Sequence, residues 1–274
     1  MTPFIILRGG GDLASGVALR LHRSGFQITI IELEKPLAIR RTVAFSEAVY
    51  EGTQTVEGVT ARLVSPDQLQ VALEAGEIPV LIDPNANILR NQFLTSPRST
   101  FVIDARLLKS APETLDANIA LHIGLGPGFY AGENCHAVIE TRRGHTLGRV
   151  YWTGSTQSDS GQPEGDPRRV LRAPHAGSLT AYANIGDHLE EGQLIAEIRS
   201  EIEDRKSEIV SPFKGVLRGL IHSSVEITEG MKSGDVDARD DPSLCTLVSD
   251  KALSVAGGVL EAILIFTTNS AKLE

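Results

Sequence analysis

Gly9, Gly11 and Ala14 stand in the stretch RGGGDLASG (residues 8–16) in the order G-x-G-x-x-A, a spacing whose chemistry is phosphate binding. The first glycine turns the chain, the second lets the backbone approach a pyrophosphate, and the third small residue lets a helix pack on the strand before it. The helix N-terminus that follows offers free N–H groups to an anion. Glu32, 23 positions beyond Gly9, stands where a carboxylate accepts hydrogen bonds from ribose hydroxyls and disfavours a 2′-phosphate. Asp12 opposes this reading, because its carboxylate can cap the helix and repel a phosphate, with Arg8 placed to offset the charge. The alternative is a plain strand-to-helix corner with no ligand.

Arg40 and Arg41 lie in KPLAIRRTVAFSEAVYEG, among apolar and small residues, and as a pair they could grip a phosphate in bidentate fashion. Ion pairs to Glu34 or Glu47 are the plainer use for them. Gly126 and Gly128, in the GLGPG run of residues 124–128, complete the candidate cofactor-binding set. Cys135 precedes His136, and an adjacent imidazole can lower a thiol pKa, which makes Cys135 the only candidate for a catalytic group. A buried, inert cysteine is the commoner arrangement. The chain has no H-E-x-x-H, nucleophile elbow or paired-cysteine pattern, and no metal site is expected from it.

Five short apolar runs must position these residues: Phe4 to Leu7, Ile28 to Ile31, Val80 to Ile82, Phe101 to Ile103, and Leu121 to Ile123. Helical spacing of Leu13, Ala14, Val17, Ala18 and Leu21 between the first two runs gives the βαβ rhythm of a doubly wound parallel sheet. Gly9, Glu32, Asp83, Asp104 with Arg106, and Gly124 to Gly128 then fall on one sheet edge, the carboxyl edge where open α/β folds bind ligands. The polar stretch STQSDSGQPEGDP (residues 155–167) reads as a loop. Beyond it, Pro174, Gly177, Leu179, Leu189 and Gly192 are matched by Pro212, Gly215, Leu217, Ile227 and Gly230, each 38 positions later. Ser249 is placed to cap a C-terminal helix, SDKALSVAGGVLEAIL, that Gly257 and Gly258 weaken.

The repeat over about Arg172 to Asp235 resembles the barrel-sandwich hybrid of biotinyl and lipoyl carrier domains. The position of the modified lysine in those carriers is Asp204 here, and Lys206 is out of register, so neither biotin nor lipoate is expected. The expected fold class is α/β: a Rossmann-like parallel sheet, then a small all-β barrel-sandwich hybrid domain and a C-terminal helix. The corresponding divisions are 1–145 for the nucleotide-binding domain, 146–248 for the β-rich domain with its core at 172–235, and 249–274 for the helix.

A length of 274 residues with 41% apolar and 22% charged residues is that of an ordinary globular protein with room for two domains. The net charge of −9 argues against nucleic acid or an anionic membrane as partner. Cys135 and Cys245, 110 residues apart, form no disulfide framework, and no export segment is visible, so a cytoplasmic location is expected. Whether the chain forms a homo-oligomer is left open.

GGGDLASGVALRLHRSGF, EKPLAIRRTVAFSEAVYEG, GLGPGFYAGENCHAVIET, RRGHTLGRV and SDKALSVAGGVLEAIL together resemble the accessory proteins of selenium-dependent molybdenum hydroxylase systems. That resemblance implies a maturation factor that serves a molybdenum hydroxylase apoenzyme, binds a molybdopterin dinucleotide or related nucleotide, and delivers cofactor or selenium. It carries over no catalytic residue. The same fingerprint admits NAD or FAD, and with them an NAD(P)- or flavin-dependent oxidoreductase. A docking protein with an empty Rossmann-like half is the third reading.

Overall fold

The computed structural model describes residues 3–90, 100–113, 115, 119–161, 165–200 and 204–270. Residues 162–164 of the expected loop and the last residues of the C-terminal segment, 271–274, lie outside that set.

The chain begins β1 (Phe4–Arg8), α1 (Asp12–Arg23), β2 (Gln27–Glu32). Ile5, Ile6 and Leu7 are fully buried because the strand lies between two parallel neighbours and is covered on both faces. Leu13, Ala14, Val17, Ala18 and Leu21 form the inner face of α1. The helix ends where Gly25, at φ +85°, donates its N–H to the His22 carbonyl. A loop with two 3-10 turns leads to the single turn α2 (Ala48–Glu51) and a hairpin of β3 (Thr53–Val56) and β4 (Val59–Leu63). Its two-residue turn, Glu57-Gly58, holds both residues at positive φ, the geometry that matches the strand twist. Next come α3 (Leu69–Glu74), β5 (Ile78–Ile82), β6 (Thr100–Asp104), β7 (Leu121–Leu125), β8 (Ala137–Ile139) and β9 (Val150–Tyr151).

These nine strands form one sheet in the order β3-β4-β5-β2-β1-β6-β7-β8-β9. Strands β4 to β8 pair in parallel, whereas β3 and β9 pair antiparallel at the two edges. The expected Rossmann-like parallel sheet is therefore corrected to a large mixed sheet. The tight Glu57-Gly58 turn sends β3 and β4 in opposite directions, which no purely parallel sheet permits.

The second half contains β10 (Val170–Arg172), β11 (Ser178–Ala181), β12 (His188–Leu189), β13 (Leu194–Ser200), β14 (Arg205–Val210), β15 (Gly215–Leu220) and β16 (Lys232–Asp237). They form two antiparallel sheets, β10-β16-β15-β12 and β11-β13-β14. The expected single barrel-sandwich domain is corrected to these separate ladders, which among the described residues are joined by no shared strand. The 38-residue repeat is expressed as an exchange: Gly215 pairs with Leu189, and Gly177 pairs with Ile227. Each copy's glycine meets the other copy's aliphatic residue, and both aliphatics sit in one core.

The final helix, α4 (Asp250–Ser270), begins with Ser249 Oγ accepting the Ala252 N–H at 3.2 Å. Ala252, Val255, Ala256, Val259, Ala262 and Ile263 are buried in the core that α1 and the large sheet share. The stretch Pro242–Asn269 is long and apolar enough to cross a bilayer by length and composition, and the inner face of α4 within it packs into this core. Gly258 has a structural use, since a Cβ there would stand 2.1 Å from the Gly148 carbonyl oxygen.

Candidate functional site

The crevice at the carboxyl ends of β1 and β6, where a doubly wound fold would seat a dinucleotide, is filled by the protein's own charges. Buried Arg8 reaches Asp104 at 3.2 Å and Glu113 at 2.6 Å, and Arg106 binds the same two carboxylates. Glu32 Oε1 accepts the Gly10 N–H at 2.6 Å and Oε2 the Leu33 N–H at 2.7 Å. Burial raises the Glu32 pKa, and the two backbone N–H groups partly oppose that rise. Glu32 thus closes the glycine turn instead of waiting for a ribose. Gly10 is pressed on the other side, where a Cβ would stand 2.9 Å from the Ser46 nitrogen.

Open space lies on the other flank of the α1 N-terminus. A cleft of about 1190 Å³ is bounded by Gly11 and Asp12, the Leu37 to Arg40 loop, β16, and the residues leading into α4. Gly11 is the helix N-cap, Asp12 Oδ1 accepts the Leu13 N–H at 2.9 Å, and nothing stands within 4 Å of where a Gly11 Cβ would be. Seven basic and five acidic side chains line the cleft. Most are matched. Asp235, 1% exposed, receives Arg169 at 2.6 Å and Arg218 at 2.5 Å. Arg218 also reaches Asp237 at 3.0 Å, and Arg239 pairs with Asp237 as well. Lys232 and Lys251 are half-buried and form no ion pair among the described residues; burial lowers the Lys232 pKa against the pull of Asp235 and Asp12. Arg40 extends one nitrogen to the carbonyls of Leu244 and Leu247, both at 3.1 Å, and another to Asp12 at 3.5 Å, and its buried Nε has no acceptor.

The structure divides the residues singled out from the sequence. Gly11 and Arg40 line the cleft, whereas Gly9, Ala14 and Glu32 lie outside its lining and build the turn that supports it. Arg41 departs from its neighbour and binds the Leu220 carbonyl at 2.8 Å and the Glu47 carboxylate. Gly126 and Gly128 stand outside the cleft, where positive φ and close contact with Thr141 and the Ser110 carbonyl explain the absence of side chains. Cys135 is buried, which pushes its thiol up to about 11 and keeps it protonated at neutral pH; His136 Nδ1 instead accepts the His122 N–H at 2.9 Å. The sequence reading missed Lys232, Asp235 and Asp237. Their signal is a short strand, KSGDVD, that carries three charges in an otherwise aliphatic repeat.

No family model matches the sequence. The chain is 43% identical over 273 residues to the uncharacterized protein YqeB of Escherichia coli (strain K12). The match covers 98% of this chain and 48% of that protein, so the chain spans about half the length of the curated relative it matches. Among solved structures, it is similar to the apo ectoine utilization protein EutE (DoeB) from Ruegeria pomeroyi, with a TM-score of 0.27, 9% identity and 86% of each chain covered. It is similar also to a succinylglutamate desuccinylase/aspartoacylase from Rhodobacter sphaeroides, with a TM-score of 0.27 and 13% identity over 86% of this chain and 85% of that one. The expected kinship with accessory proteins of selenium-dependent molybdenum hydroxylases finds no counterpart among these relatives. The expected maturation role has no support there either. The oxidoreductase loses its dinucleotide crevice, which Arg8, Asp104 and Glu113 fill, and the docking protein with an empty Rossmann-like half has no support among these relatives and lacks the parallel sheet it assumed.

Proposed function

We propose that this chain binds an anionic small molecule, one bearing phosphate or carboxylate groups, in the cleft between the α1 N-terminus and β16. The observation that carries this reading is Lys232, a half-buried ammonium with no ion-pair partner among the described residues, facing the cleft between the α1 N-terminus and β16. A desolvated cation favours negative charge, and a ligand would supply the partner that Lys232 lacks. The arginines held by Asp235 and Asp237 keep the cleft positive without collapsing into it. Its volume suits a molecule of nucleotide size. A dinucleotide fits this reading only in the cleft, outside the sheet crevice.

A thermal-shift screen with pyrophosphate, ATP, NAD and citrate tests the proposal. A ligand at 100 times its Kd stabilises the folded chain by about 2.7 kcal/mol, a shift of a few degrees. The expected result is stabilisation by at least one phosphorylated compound that Lys232→Ala reduces; no stabilisation by any anion, or equal stabilisation of both proteins, contradicts it.

A further inference from the structure

From the cluster made by Glu47, Glu51 and His222, we infer a divalent-cation site, distinct from the cleft, that ties the large sheet's half of the chain to the antiparallel half. One ligand atom of each residue lies within 4.8 Å of the other two. Glu47 closes a 3-10 turn and Glu51 ends α2, four positions on, so the helical path brings both carboxylates to one side. His222 comes from the loop after β15, 171 residues further along the chain.

A group of acidic side chains alone would mean little. Here Glu47 is 6% exposed, Arg41 binds its Oε1, and its Oε2 is buried without any hydrogen-bond partner. A buried carboxylate oxygen left in that state is costly unless something fills its coordination. The imidazole is also held in place. The Tyr50 ring stacks on it at 3.8 Å and 7°, and Tyr50 O–H is anchored on the Pro36 carbonyl at 2.7 Å. Ser224 flanks Nδ1, with its Oγ at 2.8 Å and its N–H at 3.2 Å. Nδ1 accepts the Ser224 N–H here, and a metal on Nε2 would require the other tautomer, in which Nδ1–H is donated to Ser224 Oγ and the Ser224 N–H contact is given up.

Two carboxylates and one imidazole suit zinc or manganese, with water completing the coordination. Charge also fits: two carboxylates against the Arg41 guanidinium leave the cluster negative. Ligand atoms around a zinc ion stand roughly 3.4 Å apart, given bonds of about 2.0–2.1 Å, so loading would draw the three atoms, now within 4.8 Å of one another, to that spacing. Glu51 is exposed and free of hydrogen bonds among the described residues, which lets it make that movement. The ion would then cross-link α2 to the loop beyond β15.

Chelator-treated protein titrated with Zn²⁺ in a calorimeter tests this. The expected result is one ion per chain, with Glu51→Gln and His222→Ala each weakening binding at least tenfold and Lys232→Ala leaving it unchanged. Co²⁺ should give a visible absorption band in the parent protein that His222→Ala loses. Glu51→Gln alters no internal hydrogen bond, so loss of binding in that folded variant reports the site and not the fold. Absence of stoichiometric uptake, or uptake that neither substitution weakens, overturns the proposal.

Discussion

Gly16 of α1 faces Ala252 of α4 so closely that a Cβ on Gly16 would stand 2.7 Å from the Ala252 Cβ and 3.1 Å from its carbonyl. The approach lets the last helix lie on the first and seal the core they share with the sheet. Gly16→Leu is expected to cost about 1–3 kcal/mol or more through overpacking. Gly11→Ala meets open space at φ −65° and should cost under about 1 kcal/mol, as a weaker N-cap. Urea denaturation of both variants measures the difference; equal costs would contradict this packing.

The buried Arg8–Asp104 pair, with side chains 2% and 0% exposed, makes a second prediction. Asp104→Ala leaves Arg8 and Arg106 short of a carboxylate in the interior and should destabilise the fold by about 3–5 kcal/mol. Glu113, whose side chain is 55% exposed, lets water replace it, and Glu113→Gln should cost about 1 kcal/mol or less. Chemical denaturation of the two variants checks the ranking.

His122 makes stability depend on pH. Burial pushes its pKa down to about 4 from an ordinary 6.5, and its Nε2 has no partner. Between those values the unfolded chain takes up a proton that the folded chain refuses, so stability falls as pH drops through that window. The loss from this group should reach about 2 kcal/mol between pH 7 and 5. His122→Phe, beside the edge-to-face ring of Phe129, should remove that part of the slope. Denaturation midpoints at the two pH values measure it, and an unchanged slope would remove His122 from the account.

The strands at the centre of the large sheet were legible as apolar runs because burial on both faces demands Ile, Val and Leu throughout. The edge strands were not. β9 is two residues long and carries no periodicity, and the β3–β4 hairpin turns at Glu57-Gly58, a pair without the Asn or Asp that marks such turns in a sequence. The glycine fingerprint revealed a strand, a turn and a helix, but the partner of Gly10 could not be read from spacing: Glu32 is equally placed for a ribose or for the backbone, and the geometry selects the backbone. Arg40 and Arg41 are adjacent in sequence yet serve different walls, since the 3-10 turn that starts at Arg41 redirects the second side chain. Lys232 and His222 join their sites from the far half of the chain, across separations that no local pattern encodes.

Isothermal titration calorimetry of the intact chain with pyrophosphate and with ATP, run side by side with Lys232→Ala, tests the anion cleft most directly. The account predicts one binding event per chain and an affinity at least tenfold weaker without the ammonium, equal to a loss of about 1.4 kcal/mol, with the weakening reproduced at two salt concentrations. Binding of the same strength in the two proteins, or no heat of binding with either anion, would contradict it.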